Sequence, residues 1–223
     1  MNTNLRLLLA LLCLPTTVLL GQQKLSMSVT VAPTLSHTNY NYRFFYPNSD
    51  GQVVEPVYMN GPRWANGYSA GLSLLYTYAP DWTVSSGVWF QQVTTRQARQ
   101  AASGEGTVTV HNRIVRIPLL LSYTSSMKRL SPYFSLGLLT DVPIPSRVIV
   151  TRTGQSTQYL GLENSRRPIF HLLVGAGVQY KLNRRYTLMA QPVWTYKFGQ
   201  LGGASTYDAS FEVSMLTQVA YTF

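Results

Sequence analysis

The sequence predicts an eight-stranded antiparallel transmembrane β-barrel, and three observations lead there. Apolar residues recur with a period of two through most of the chain, which is the mark of strands with one apolar face. The aromatics gather at the two ends of these alternating segments, with Leu, Val, Ile and Ala between them. Short turns also alternate with long connections, as they do in barrels that cross a membrane.

Residues 1–21 read as a secretory signal. Arg6 precedes a run rich in leucine from Leu7 to Leu20, and Gly21 offers a small residue before Gln22 and Gln23, so cleavage is expected near Gly21. The competing reading is an uncleaved membrane helix, against which Pro15, Thr16 and Thr17 interrupt the run. Cys13 is the only cysteine, and Leu12 stands before it where a lipoprotein signal needs a small residue. Residues 22–223 are therefore expected to form one barrel domain without disulfides or thiolate chemistry.

Eight segments then alternate. The first sets Leu25, Met27, Val29 and Val31 against Ser26, Ser28, Thr30 and Ala32. The second sets Tyr68, Ala70, Leu72, Leu74, Tyr76 and Tyr78 against Gly67, Ser69, Gly71 and Ser73. In the third, Trp82, Val84, Val88 and Phe90 oppose Thr83, Ser85 and Gly87, with Trp89 on the polar side. The fourth is the strongest, Val115, Ile117, Leu119, Leu121 and Tyr123 against Arg116, Pro118, Leu120 and Ser122. The fifth sets Phe134, Leu136 and Leu138 against Tyr133, Ser135, Gly137, Leu139 and Asp141. The sixth sets Phe170, Leu172, Val174, Ala176, Val178 and Tyr180 against His171, Gly175, Gly177 and Gln179. The seventh opposes Tyr186, Leu188, Ala190, Trp194 and Tyr196 to Thr187, Gln191, Thr195 and Lys197. The eighth runs over residues 211–223, with Phe211, Val213, Met215, Thr217, Val219, Tyr221 and Phe223 on one face. Its closing partner is expected to be the first segment.

Ala79-Pro80-Asp81, Ser125 to Ser131 and Asn183-Arg184-Arg185 are short turns. The alternate connections, roughly Arg43 to Arg63, Gln97 to Gly106, Pro145 to Arg167 and Gly199 to Asp208, are long. The short-turn end is expected in the periplasm and the long loops outside. The stretch Val148 to Leu160 is expected to extend the fifth and sixth strands as a hairpin above the membrane.

A soluble sandwich would also alternate, but it has no reason to sort aromatics into two girdles around an aliphatic band, as a bilayer with two interfaces does. Charged residues are only 12% of the chain, against about 25% in typical soluble domains. The polar face is mostly Ser, Gly, Thr and Ala, which suits a barrel just wide enough to be filled by side chains. The net charge of +10 comes from scattered basic residues without a recognition helix, so anionic lipid is the expected partner and nucleic acid is not.

Two resemblances bear on location and kinship. The ending Val219, Tyr221, Phe223 resembles the C-terminal signal by which the barrel assembly machinery recognises bacterial outer-membrane barrels. The stretch Arg113-Ile114-Val115-Arg116-Ile117-Pro118-Leu119-Leu120-Leu121-Ser122-Tyr123, a short turn, then Pro132-Tyr133-Phe134-Ser135-Leu136-Gly137 resembles the outer-membrane β-barrel domain of Bacteroidota whose best-known members are PorT-like. Ser122 stands where that family usually carries a basic residue. The resemblance implies a barrel in the outer membrane of a Gram-negative cell, and for PorT-like members a link to protein secretion. Likeness to small barrels of the OmpA/OmpX class rests on architecture alone and implies no activity.

Candidate sites follow from charge and placement. Arg116, Asp141, Lys197, Glu212 and His171 all point to the expected interior, where charge is costly unless paired. A packed lumen network is the favoured reading, and a proton or small-ion path is the alternative. The outer loops are rich in arginine, which suits lipopolysaccharide phosphates. The stretch from Arg43 to Trp64, with Arg43, Phe44, Phe45, Tyr46, Arg63 and Trp64, is the best candidate for binding a protein or glycan at the surface. The three histidines, His37, His111 and His171, lack the local sequence of a lipid A deacylase, so no catalytic residue, metal or cofactor is expected. A structural or surface-binding barrel is the leading reading. An accessory role in secretion, a narrow channel and a lipid-modifying enzyme follow in that order.

Overall fold

The computed structural model describes residues 25–45, 57–98, 106–126, 128–154, 156–162, 167–200 and 208–223. Residues 1–24, with Cys13 and the expected signal, and Tyr46 lie outside them. The strands are β1 (Leu25–Phe45), β2 (Val57–Ala79), β3 (Trp82–Ala98), β4 (Gly106–Thr124), β5 (Leu130–Arg152), β6 (Gln158–Leu162), β7 (Ile169–Lys181), β8 (Tyr186–Gln200) and β9 (Asp208–Thr222).

Each ring strand pairs antiparallel with two neighbours in the cycle β1-β2-β3-β4-β5-β7-β8-β9 and back to β1. The closing seam sets Val29 opposite Val219 and Met27 opposite Tyr221. Eight strands thus form a closed antiparallel ring with no free edge, which is how a sheet satisfies its backbone polar groups in lipid. β6 stands outside the ring and pairs only with the upper part of β5. The turn between them passes through Gly154 at φ +77°, a left-handed conformation that glycine adopts without a Cβ clash.

Burial is inverted relative to a soluble protein. Leu72, Leu74, Leu119, Leu136 and Val213 are exposed, while Ser28, Thr30, Gln91, Gln191 and Glu212 are buried. Only an apolar solvent makes that arrangement favourable, so the exposed belt is the lipid-facing wall of a transmembrane barrel. At the short-turn end the belt is bordered by Tyr76, Tyr78, Trp82, Phe134, Tyr186 and Phe223, all exposed. Ring pairs brace this girdle, with Trp82 4.9 Å from Tyr123 and Tyr186 5.2 Å from Tyr221. Trp64, Tyr68, Phe90, Trp194, Tyr196 and Phe198 border the belt at the other end.

The inside is packed in layers, and it is less uniformly small than the alternation suggests. Ala32, Trp89, Leu120, Leu139, Leu173, Val193 and Leu216 form an apolar layer, and Leu75, Tyr133, Met189 and Ala220 form a second one nearer the short turns. Hydroxyl and amide groups join the layers, as in Trp89 Nε1 to Ser73 Oγ at 2.8 Å and Ser135 Oγ to Gln191 Oε1 at 2.9 Å. Above the outer girdle the strands continue. β1 and β2 pair as far as Phe45 with Val57, and β4 and β5 as far as Gly106 with Arg152.

Candidate functional site

Arg116 of β4 and Asp141 of β5 are direct cross-strand partners, and inward-facing partners in a narrow ring have their side chains within reach of each other. The guanidinium grips the carboxylate with two bonds, Nε to Oδ1 at 2.7 Å and Nη2 to Oδ2 at 2.6 Å. The same Nη2 reaches across the lumen to Glu212 Oε2 of β9 at 3.0 Å. Gln91 of β3 donates from Nε2 to both Glu212 oxygens at 3.3 Å. His171 of β7 brings Nδ1 to 3.3 Å from Asp141 Oδ2, an ion-pair distance that lacks the alignment of a hydrogen bond. Four of the five interior residues singled out in the sequence therefore meet at one point. The fifth, Lys197, is half-buried on β8 opposite His171.

The level of this cluster matters. Arg116 follows Val115, which pairs with Phe90, and Glu212 follows Phe211, so the charges lie inside the outer girdle rather than at the middle of the belt. Directly beneath them is the Leu120, Leu139, Leu173 and Leu216 layer. Arg116, Asp141 and Glu212 are each 3% exposed or less. A fork of bonds from one fixed guanidinium, drawn from strands on opposite sides of the ring, cross-links the barrel wall at that height.

The surface candidates are not one open loop. Arg43, Phe44 and Phe45 lie on the upper end of β1, opposite Met59, Tyr58 and Val57. Arg63 and Trp64 lie lower on β2, opposite Thr38 and His37. This corrects the expected loop from Arg43 to Arg63 at both of its ends, where residues 43–45 and 57–63 are strand extensions; residues 46–56 lie outside the described residues. Trp64 belongs to the girdle: it meets Phe211 edge-on at 5.7 Å, and His37 stacks on Phe211 at 5.1 Å. His37 was legible as the next outward residue after Val31, Pro33 and Leu35. At the other end, Val219 faces outward, and Tyr221 packs edge-on against Phe223 at 5.4 Å. The Phe223 amide donates to the Leu25 carbonyl at 3.2 Å.

No family model matches this chain, and none of the curated proteins matches it. Several solved structures are distantly similar to it. Neisserial surface protein A is 16% identical, with 89% of this chain and 97% of that chain covered and a TM-score of 0.49. The outer membrane protein OprG from Pseudomonas aeruginosa is 16% identical over 91% of this chain and 99% of that one, with a TM-score of 0.44. The outer membrane protease OmpT from Escherichia coli is 8% identical over 90% and 97%, with a TM-score of 0.40. At these TM-scores the likenesses carry no argument about this chain, whose fold rests on its own closed ring of strands.

Proposed function

We propose that this chain is a non-conducting barrel of the outer membrane that works by binding, through the extended strands and loops above its outer girdle. Its export would use residues 1–21, cleaved near Gly21, and its insertion would use Val219, Tyr221 and Phe223 as the signal for barrel assembly. The observation that carries the reading is the filled lumen, closed by the Arg116, Asp141 and Glu212 cross-link above a continuous apolar layer. A pore needs a wet path, and an apolar layer beneath a guanidinium that bridges two carboxylates across the lumen opposes ion passage. The test is planar-bilayer recording on the refolded chain. No steady conductance is expected, and an ohmic current that changes with Arg116→Ala would overturn the reading.

A second reading is favoured by the motif on β4 and β5. Residues 113–123 and 132–137 resemble PorT-like barrels, which suggests an accessory role in protein secretion. Deletion in the source cell would then leave secreted cargo in the periplasm, and unchanged secretion would remove this reading.

A further inference from the structure

Along the outside of β3, β4 and β5, the wall changes chemistry at one height. Outward residues of β3 run Val88, Phe90, Gln92, Thr94, Arg96, and those of β4 run Leu119, Ile117, Val115, Arg113, His111. On β5 they run Leu138, Thr140, Val142, Ile144 and then Arg147. On β4 the apolar lipid-facing wall thus gives way to a cation within two residues, about 7 Å along the strand, while on β3 Gln92 and Thr94 stand between Phe90 and Arg96. A register shift sharpens the change. Arg113 pairs with Ile144 but His111 pairs with Arg147, so a bulge in β5 swings Arg147 beside His111.

Three guanidiniums converge there. Burial first, and then the fields of Arg113, Arg147 and Arg96, hold the His111 imidazole below its ordinary value of 6.5. His111 Nδ1 lies 2.9 Å from Thr94 Oγ1. Arg113 Nε is buried and has no hydrogen-bond partner among the described residues. Like charges gathered at one place repel unless an anion joins them. Among the described residues whose side chains are also described, the carboxylates are elsewhere: Asp81 in a turn at the far end, Asp141 and Glu212 in the lumen. Two open clefts flank the patch. One, of about 600 Å³, runs from Tyr68 to Arg96 and His111; the other, of about 480 Å³, lies between Arg113, Arg147 and Tyr159.

We propose that this patch binds the phosphate groups of a phosphorylated glycolipid of the outer leaflet, its acyl chains lying on Phe90, Val115 and Ile117 below. Guanidinium forks match phosphate oxygens two at a time. Two clefts on either side of His111 suit a headgroup with more than one phosphate. A lipid is favoured over a soluble anion because on β4 and β5 the cations Arg113 and Arg147 are the next outward residues after the lipid-facing Val115 and Ile144. The inference rests on the barrel's placement in the membrane but not on its closed lumen, so lipid binding and conductance fail independently.

Native mass spectrometry of the refolded full chain, with bis-phosphorylated lipid A and with the same lipid stripped of phosphate, tests it. The phosphorylated lipid should be retained and the stripped one lost. Arg113→Gln with Arg147→Gln should lower retention at least tenfold, while Arg184→Gln with Arg185→Gln, at the opposite end, should leave it unchanged. Each variant is first shown folded by its heat-dependent gel shift, and Arg96→Gln with Arg147→Gln replaces the first pair if that pair does not fold. Equal retention of the two lipids, or retention untouched by the outer substitutions, overturns the proposal. So does complete displacement by inorganic phosphate at equal concentration, which would mark a site for the free ion.

Discussion

Replacing Arg116 by alanine removes the one cation that two buried carboxylates share. The wild-type guanidinium makes bonds of 2.7, 2.6 and 3.0 Å, and both carboxylates are 1% exposed. Breaking a buried pair by removing one partner costs about 3–5 kcal/mol, because the charge left behind has lost both water and its counter-ion. Two carboxylates are stranded here, and Gln91 offers Glu212 only a pair of long bonds at 3.3 Å. The upper part of that range is therefore expected for Arg116→Ala, read as urea unfolding of the barrel in phospholipid vesicles by tryptophan fluorescence. The triple variant Arg116→Ala, Asp141→Asn, Glu212→Gln removes the stranded charges with the cation. It should recover more than half of the loss, since neutral groups cost far less to bury. A loss under about 1 kcal/mol for the single variant, or a triple variant no more stable than the single, would refute a paired cluster in a dry lumen.

Other substitutions separate the remaining roles. Gly71 lies directly opposite Trp89, and a Cβ there would come within 2.3 Å of the Val88 carbonyl oxygen and 2.5 Å of both Trp89 Cα and the indole Cδ1, so strand and ring must both give way. Gly71→Val should displace that indole from Ser73, red-shift the fluorescence and destabilise by about 1–3 kcal/mol; an unchanged spectrum would count against the layered interior. Phe223 is 65% exposed to the lipid side. Phe223→Ala should refold in vitro with a stability change under about 1 kcal/mol, yet should accumulate poorly in the outer membrane of cells. A normal cellular level would remove it from the assembly signal. His111 is held below 6.5 by burial and by Arg113, Arg147 and Arg96. Its folded value lies below the unfolded one, so its contribution is intact above 6.5 and is lost as the pH falls toward the folded value. Arg113→Gln should raise the His111 midpoint in an NMR titration, and a midpoint that stays put would show that the guanidinium does not reach it.

The membrane part of the fold was legible because lipid imposes one rule on every strand. Val29, Leu72, Val88, Leu119, Leu136, Val174, Leu188 and Val219 each mark an outward face, and the ring orders them as the alternation does. Above the girdle the rule lapses, since neither face meets lipid. The residues from Arg43 to Phe45 and from Val57 to Met59 do not alternate in hydropathy, and so their pairing reads as loop. The interior posed a different difficulty. Leu120, Leu139, Leu173 and Leu216 each look like a lapse in a small polar face, and only the stagger of the ring brings them to one height. Arg116 and Asp141 sit on neighbouring strands joined by a short turn, so local sequence places them together. Glu212 comes from nearly a hundred residues away, and its bond to Arg116 follows from ring closure through β9.

The outer girdle is where the separate features of the barrel coincide. The lumen cluster of Arg116, Asp141 and Glu212 lies just inside it, the stack of His37, Trp64 and Phe211 lies in it, and the Arg96, Arg113 and Arg147 patch begins just above it. The bulge in β5 opposite His111 and Arg113 and the register shift beside His37 fall close to the same girdle. Bulges collect at barrel rims because they let strands bend and re-aim side chains where the environment changes. A wall that is stiffened from within, ringed by aromatics and turned basic at a single level has its vertical position fixed against the bilayer. Holding the strand extensions at a set height gives a purpose to charges whose burial adds little net stability. On the binding role proposed above, the lumen cluster would be the rigid floor beneath the outer surface, and severing it should loosen the upper strands before it opens a pore.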